Sequence, residues 1–144
     1  MTRLILPIPP SLNHAYENRM VRGRRIRVLS REAERFKTEA QLLALSWRNQ
    51  TGWLLPLPDR KIIVRAWYFW GNMYDNDANN RWKVLFDALE GILYHNDSMV
   101  MEHVVNIELD RNNPRLELEF EVGEPWPAKT KLLQKKRKKA AKHA

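Results

Sequence analysis

Four runs of aliphatic, β-branched and aromatic residues predict β-strands in this chain. The first covers residues 4–8 and contains Pro7, which suits only the edge of a sheet. The second, 61–70, is apolar on both of its alternating faces, a pattern typical of a strand that is covered on both sides. The last two, 101–110 and 115–122, are joined by a short turn. Glutamates alternate with apolar residues in the last run, so one of its faces is expected in water.

Two other segments have apolar residues at helical spacing. Ser30 is a suitable N-cap for the first helix, which is predicted over residues 31–48. Its predicted buried stripe consists of Ala33, Phe36, Ala40, Leu43, Ala44 and Trp47. The second helix is predicted from residue 81 to about 93, with Lys83 and Asp87 together on a flank beside its apolar stripe. These elements predict an α/β (α+β) domain of about four to five strands and two main helices.

Composition limits the class of protein. Hydrophobic residues make up 44% of the chain and six residues are tryptophan, so a packed domain is expected rather than a disordered chain. We place this domain at residues 1–127. The absence of cysteine excludes disulfides and thiolate metal sites. Because no apolar run reaches the length of about 18 residues that a transmembrane helix needs, we expect a cytoplasmic protein that does not enter membranes.

Positive charge is concentrated in two segments. The segment 128–144 has eight lysines and arginines and no acid, while the rest of the chain has 17 residues of each sign. We expect this tail to be disordered in isolation and to bind nucleic acid. A second segment has no acid between residues 18 and 31, and it predicts either a solvated loop or hairpin or a surface that contacts phosphates. Its arginines are Arg19, Arg22, Arg24, Arg25, Arg27 and Arg31.

Carboxylates and side-chain amides are crowded between the second strand and the second helix. Asp75, Asp77, Asn79 and Asn80 lie there, and Lys83 follows one turn along. Oxygen ligands gathered at the end of a strand are suited to a hard cation such as Mg²⁺. A lysine beside them can stabilise a phosphate or a leaving oxygen. The junction therefore predicts a metal site that acts on a phosphate.

A calcium loop and a helix cap are simpler interpretations of this junction. A calcium loop requires Gly at its sixth position and Glu at its twelfth, where this chain has Asn80 and Phe86, and the pattern therefore fails. Capping of the second helix by Asn79 or Asn80 accounts for one of the amides. It leaves Lys83 and the more distant Asp97 unexplained.

The motif Asp77-x-Asn79-Asn80-x-x-Lys83-x-x-x-Asp87-Ala88-Leu89, followed by Asn96-Asp97-x-x-Val100, resembles the core motif of the RusA family of Holliday-junction resolvases. In that family the motif normally reads Asp-x-Asp-Asn-x-x-Lys-x-x-x-Asp-Ala-Leu, and then Asp-Asp-x-x-Val. The N-terminal Pro9-Pro10-Ser11-x-Asn13-x-x-Tyr16 is similar as well. The resemblance extends over residues 4–122.

This resemblance implies a homodimeric nuclease with a small mixed sheet. Such an enzyme uses Mg²⁺, or Mn²⁺ in its place, to cut four-way DNA junctions by paired nicks, without a small-molecule cofactor, in a bacterial or phage-infected cell. It implies that Asp77 and Asp97 are metal-site carboxylates, that Lys83 is the essential lysine, and that Asn80 and Asp87 support the site. The expected DNA contacts are Asn13, His14, Tyr16, Arg19, Arg22, Arg24, Arg25 and Arg27.

One position departs from the family pattern. Asn79 stands where the motif has its middle aspartate, and an amide offers an oxygen but no negative charge. Asp75 lies two residues before Asp77, on the same side of an extended segment, and can restore a carboxylate pair. Alternatively the site is weakened, naturally or by an engineered change. The sequence leaves three functions open, which are an active nuclease, a junction-binding protein without activity, and a metal-binding regulatory domain.

Overall fold

The structure is a computed structural model that describes residues 2–74 and 77–142, with only the backbone of residues 129 and 130. The strands are β1 (Leu4–Leu6), β2 (Tyr16–Val21), β3 (Arg24–Leu29), β4 (Arg60–Trp70), β5 (Val100–Leu109) and β6 (Arg115–Pro125). The helices are α1 (Leu12–Ala15), α2 (Arg31–Thr51), α3 (Trp82–Leu89) and α4 (Pro127–Lys142). Two 3₁₀ turns cover Asn79–Arg81 and Asp97–Met99. None of the described helices is long and apolar enough to cross a membrane.

A mixed four-stranded sheet in the order β1-β6-β4-β5 forms the centre of the protein. Strands β4 and β5 are parallel and are connected through α3, whereas β6 pairs antiparallel with β4 on its other side. The predicted fold class is therefore confirmed, with α4 as a third main helix. Strands β5 and β6 do not pair with each other, because the turn between them crosses the end of β4. There the N–H of Asp110 donates to the carbonyl of Trp70 at 2.8 Å.

The core lies on one face of this sheet. Alternate side chains of β4 from Ile62 to Trp70 are buried there with residues of α2 and α3. The sequence predicts that β4 is covered on both sides, and the structure confirms this for the core face only. On the other face, the guanidinium groups of Arg3 and Arg115 lie 3.7 Å and 3.9 Å from the ring centroids of Trp67 and Phe69. Both arginines pair with Glu117, so charged side chains cover this face instead of a second helical layer.

Helix α2 follows the sequence prediction closely. Ser30 caps it, since its Oγ accepts the N–H of Ala33 at 3.1 Å. The helix continues to Thr51 and ends at Gly52, whose φ of 72° suits glycine. The predicted stripe is buried except for Leu43, which is 37% exposed. The prediction is wrong for Leu43, because this residue lies on the flank of the stripe and outside the buried core.

Helix α3 is shorter than predicted. It is preceded by the 3₁₀ turn Asn79–Arg81 and ends at Leu89, not near residue 93. Gly91 has a φ of 83°, and its N–H donates to the carbonyl of Tyr94 at 2.7 Å, so the chain turns back at this point. Leu93 is nevertheless buried. Periodicity identified the apolar residues correctly but not the glycine that ends the helix.

The arginine-rich window forms a β-hairpin from β2 and β3. Val21 pairs with Arg24, which leaves a two-residue loop of Arg22 and Gly23. Both loop residues have positive φ, 51° and 77°, as a type I′ turn requires. This turn matches the twist of the strands, so the window is a hairpin and not an open loop.

The basic segment at the end of the chain forms α4, whose described side chains are exposed except for the half-buried Leu133. Among these side chains, none has a hydrogen bond or ion pair to the rest of the domain. The helix carries like charges and little apolar surface. Its disorder in isolation stays a prediction.

The cap at Ser30 provides a test of the fold. Its hydroxyl accepts from Ala33 and also donates to the carbonyl of His14 at 2.6 Å, so it joins α1 to α2. We expect Ser30→Ala to lower the free energy of unfolding by about 1 kcal/mol, measured by urea denaturation. Ser46→Ala, the same change inside α2, should cost less because alanine favours helix. Equal losses would contradict the capping role.

Candidate active site

Lys83 and Asp87 are adjacent on the exposed side of α3. They are one helical turn apart, and the Nζ of Lys83 donates to Oδ2 of Asp87 at 3.4 Å. The Asp87 carboxylate raises the pKa of Lys83, to which the nearby Tyr16 and Asp97 contribute. Lys83 therefore stays protonated, as a cation held at the surface. The sequence placed this pair correctly because both residues lie in one regular helix.

Asp97 is brought to the same place by the turn that follows α3. Its backbone N–H donates to Oε1 of Glu90 at 2.9 Å, and the next turn is capped by Asn96, which accepts the N–H of Ser98 at 2.9 Å. The Asp97 side chain reaches the carboxyl group of Asp87. We refer to Asp87, Glu90 and Asp97 together as the carboxylate cluster.

The carboxylate cluster holds more negative charge than its surroundings neutralise. Burial raises the pKa of Asp97, and so do its contact with Asp87 and the charge of Glu90. The positive charge of Lys83 lowers the pKa of Asp97 but does not cancel these effects. Closely spaced carboxylates repel each other, and a bound cation would offset this repulsion.

Asp77 and the two asparagines precede α3, on the other side of this helix along the chain from Asp97. Asp77 and Asn79 are exposed, and Asn80 is half-buried at the turn before α3. Within the described part of the chain, no hydrogen bond or ion pair joins Asp77 to Asp97 or Lys83. Neither Asn79 nor Asn80 caps a helix through its side chain, so the capping interpretation is wrong. Asp75 falls outside the described residues.

A cleft of about 320 Å³ opens beside the carboxylate cluster. It lies between the base of the hairpin, α2 and α3. It is lined by Tyr16, Leu29, Ala33, Lys37, Val84, Asp87, Ala88 and Glu90. Sequence reasoning did not select Lys37 or Glu90 as site residues. Glu90 follows Asp87 by three residues on the same flank and could have been found, whereas Lys37 depends on how α2 packs against α3.

The hairpin carries its arginines on two different faces. Cross-strand pairs place Arg25 and Arg27 on the face of Tyr16, which lines the cleft, and Arg24 on the opposite face. Arg27 lies 4.7 Å from the ring centroid of Tyr16. Arg19 belongs to the opposite face and pairs with Glu17 at 2.7 Å. A basic track therefore leads along one face of the hairpin towards the cleft.

The remaining predicted DNA contacts lie near the base and tip of the hairpin. Asn13 and His14 are exposed on α1, directly before β2. Arg22 is exposed in the turn of the hairpin. No ion pair neutralises Arg22, Arg25 or Arg27 among the residues that the structure describes. These side chains keep their positive charge available for an anionic partner.

Two carboxylates of the cluster have the donor type that a metal ion requires. Over residues 2–74 and 77–142, no three His, Cys, Asp or Glu side chains are arranged to hold a metal ion. Asp87 and Asp97 provide carboxylate oxygens, the ligand type that Mg²⁺ prefers. The donor chemistry fits a divalent cation, and two carboxylates by themselves do not complete its set of ligands.

A carboxylate cluster with a lysine, next to a basic hairpin, is an arrangement suited to an enzyme that processes nucleic acids. The chain matches the family model described as endodeoxyribonuclease RusA over residues 7–121, and it belongs to the RusA family. The resemblance seen in the sequence is thereby confirmed. At the level of the family, this membership implies a Holliday-junction-resolving endonuclease of a generally metal-dependent kind. No match was found among curated proteins.

The hydrogen bond between Glu90 and the Asp97 amide can be tested directly. Glu90→Ala removes the acceptor, so we expect the Asp97 N–H to exchange with solvent at least about tenfold faster, the equivalent of about 1.4 kcal/mol. Glu90→Gln keeps an acceptor oxygen and should change the rate much less. Amide exchange followed by NMR measures both, with the Ser98 N–H, held by Asn96, as the control. Unchanged exchange in Glu90→Ala would show that the bond does not hold this turn.

Proposed function

We propose that this protein is a Mg²⁺-dependent endonuclease that resolves four-way DNA junctions by paired symmetric nicks. Membership of the RusA family supports junction-resolving activity. The observation that carries the proposal is the convergence of Lys83, Asp87 and Asp97 beside a cleft that continues into the arginine hairpin. The hairpin would hold the phosphate backbone while the cluster acts on one phosphodiester.

Lys83 is the proposed electrophilic group. Its side chain is more than half exposed and its ammonium pairs with Asp87, so the ammonium can approach a phosphate without losing its support. There it would stabilise negative charge in the transition state or protonate the 3′ leaving oxygen. Asp87 is proposed as a supporting residue, because it touches both Lys83 and Asp97.

Asp97 and Asp77 are the proposed carboxylate ligands of Mg²⁺, or of Mn²⁺ in its place, with Asn79 or Asp75 as a further ligand and Asn80 as a support. A divalent cation bound there would activate water and stabilise the leaving oxygen. Burial is the main cause that raises the pKa of Asp97, and the neighbouring Asp87 and Glu90 raise it further. The local excess of negative charge that these two neighbours create supports the role of a metal ligand. Within the described cluster, Lys83 alone does not cancel that excess.

A second candidate function is favoured by Asn79. An amide at this position contributes no charge to a metal site, so the chain would bind junctions and cut them weakly or not at all. The exposed position of Asn79 leaves space for a ligand but does not replace the missing charge. The basic surface and the fold serve both functions equally. Only a measurement of nicking activity distinguishes the nuclease from the junction-binding protein.

The proposed substrate also implies a homodimer. A four-way junction presents two equivalent strands, and two copies of one site would cut them symmetrically. The hairpin and α4 would contact phosphates without reading sequence. Such a protein would act where DNA recombines, in the cytoplasm of a bacterial or phage-infected cell.

The decisive experiment measures nicking of a synthetic four-way junction with Mg²⁺ and with EDTA. We expect Mg²⁺-dependent paired nicks from the natural chain. If the missing carboxylate limits the rate, Asn79→Asp will raise it by at least roughly tenfold. Lys83→Ala should abolish nicking while junction binding is retained, and Lys61→Ala on β4, outside the hairpin and α4, serves as a control for a lost lysine elsewhere. Tight binding without nicks in both the natural chain and Asn79→Asp would leave only the binding function.

The two faces of the hairpin predict different effects on DNA affinity. Arg25→Ala and Arg27→Ala should each lower the slope of log affinity against log salt by about 1, because each removes one phosphate contact. Arg19→Ala is the matched control, and its effect should be smaller because Glu17 already neutralises Arg19. Fluorescence anisotropy with a labelled junction at several salt concentrations gives these slopes. Slopes for Arg25→Ala and Arg27→Ala that equal the slope of the natural chain would rule out a role of the cleft-facing side.

A further inference from the structure

Arg81 is a half-buried arginine that joins the turn before α3 to two other parts of the domain. It is the last residue of the 3₁₀ turn Asn79–Arg81, and its backbone N–H donates to the carbonyl of Ala78 at 3.1 Å. Its side chain donates from Nη1 to the carbonyl of Pro9 at 2.5 Å. The Cζ atom of the guanidinium also lies 5.0 Å from the ring centroid of Trp70, the last residue of β4. One side chain therefore connects this turn to the N-terminal segment and to the central sheet.

Both partners of the Arg81 guanidinium are held firmly by the fold. Pro9 is fully buried and is followed by Pro10, and each pyrrolidine ring fixes the backbone φ of its residue. Trp70 is 5% exposed, and its ring stacks on that of Tyr68 with the centroids 4.9 Å apart. Burial raises the pKa of Tyr68, and the positive charge of Arg81 lowers it, so the guanidinium also acts on this phenol. A guanidinium between rigid partners holds the turn that carries it.

The two contacts are suited to arginine in particular. A guanidinium is planar, so its edge can donate to a carbonyl while its face lies against an aromatic ring. A lysine ammonium could donate the same hydrogen bond, but it lacks the flat surface that lies over Trp70. The motif of the RusA family leaves this position open, between Asn80 and Lys83. The motif therefore assigns no role to Arg81, and its contacts are a property of this chain.

The turn that Arg81 holds lies between the residues of the proposed site. Ala78 is buried, and the N–H of Arg81 binds its carbonyl, so this residue is fixed through both its side chain and its backbone. Asp77 directly precedes Ala78, and Asn79 directly follows it. Lys83 lies two residues after Arg81, in the first turn of α3. The direction in which the chain presents Asp77 therefore depends on a turn that the guanidinium of Arg81 fastens to the domain.

We propose that Arg81 is a positioning residue, which holds Asp77 and Asn79 where they can bind the divalent cation. This inference rests on the proposed function, since that cation is the one proposed there. Arg81 acts through the turn and not by touching the metal or DNA, because its guanidinium is engaged by Pro9 and Trp70. Without these contacts, the turn would keep only the burial of Ala78. Partners that orient metal ligands commonly change metal affinity by about 10–100-fold.

Binding of Mn²⁺ by the full chain in the absence of DNA tests this role, measured by isothermal titration calorimetry. We expect Arg81→Ala to raise the Kd for Mn²⁺ at least roughly tenfold. Arg81→Lys keeps the charge and one donor, so its Kd should lie between those of the natural chain and Arg81→Ala. Arg3→Ala is the matched control and should leave the Kd unchanged, because Arg3 lies against Trp67 of β4 on the opposite face of the sheet.

Thermal denaturation followed by circular dichroism separates this role from a general effect on stability, since the titrations are made well below the unfolding transition of each variant. If Arg81→Ala does not fold, Arg81→Lys decides by itself, and weaker Mn²⁺ binding than in the natural chain is expected. A Kd unchanged in the Arg81 variants would overturn the proposal. So would an equal rise in Arg3→Ala, or a natural chain that binds no Mn²⁺.

Nicking of a four-way junction by the same proteins is a separate readout. Arg81→Ala should need a higher Mg²⁺ concentration for its half-maximal rate, while its junction affinity in EDTA stays that of the natural chain. A natural chain that binds Mn²⁺ with the help of Arg81 but cuts no junction removes the proposed nuclease and leaves the positioning role. Nicking by the natural chain with the same Mg²⁺ dependence in Arg81→Ala does the reverse.

Discussion

A buried hydrogen bond at the end of α3 holds the proposed site together. The hydroxyl of Tyr94 donates to the carbonyl of Phe86 at 2.6 Å, and the N–H of Glu90 donates to the same carbonyl at 3.1 Å. A helix end leaves carbonyls without partners, and this one is satisfied by the chain that turns back at Gly91. Because the returning segment is fixed there, Asp97 lies beside Asp87. Without this anchor, the two halves of the motif would be connected only by a loop.

The electrostatics of the site follow from this closure. It brings Asp97 beside Asp87 and Glu90, and the pKa of Asp97 is raised first by burial and then by these two neighbours. Such an arrangement is unfavourable for the folded chain by itself, since like charges in partly buried positions repel. Sites that bind cations are commonly built in this way. The stabilising core beneath, which contains Leu85, Leu89 and Leu93, offsets this cost.

Much of this architecture could be predicted from the sequence, for identifiable reasons. Helix α2 and strand β4 are long and regular, so periodicity and the Ser30 cap located them within a few residues. The same holds for the pairing of Lys83 with Asp87, which needs only one helical turn. The sequence of the arginine-rich window is compatible with a loop or with a hairpin. The hairpin depends on the positive φ of Arg22, which few non-glycine residues adopt and which the sequence therefore does not predict.

The features that could not be predicted from the sequence depend on how distant segments pack together. The sequence shows that a short turn joins β5 and β6, but not that β4 lies between them. The coverage of Trp67 by Arg3 joins residues far apart along the chain. The cleft is formed by the hairpin, α2 and α3 together, so Lys37 carried no local signal. Local patterns determine elements, and only packing determines which elements share a surface.

Gly71 connects these observations. A Cβ atom at this position would lie 3.2 Å from Cγ of Pro114, in the turn that crosses the end of β4. Gly71 is also the first residue of the segment that leads to Asp77. The turn after β5 therefore packs closely against the point where the chain leaves β4. A side chain at this position would require the Pro114 ring to shift by a few tenths of an ångström, so a substitution here would act on the crossing and on the start of the segment that carries the proposed ligands.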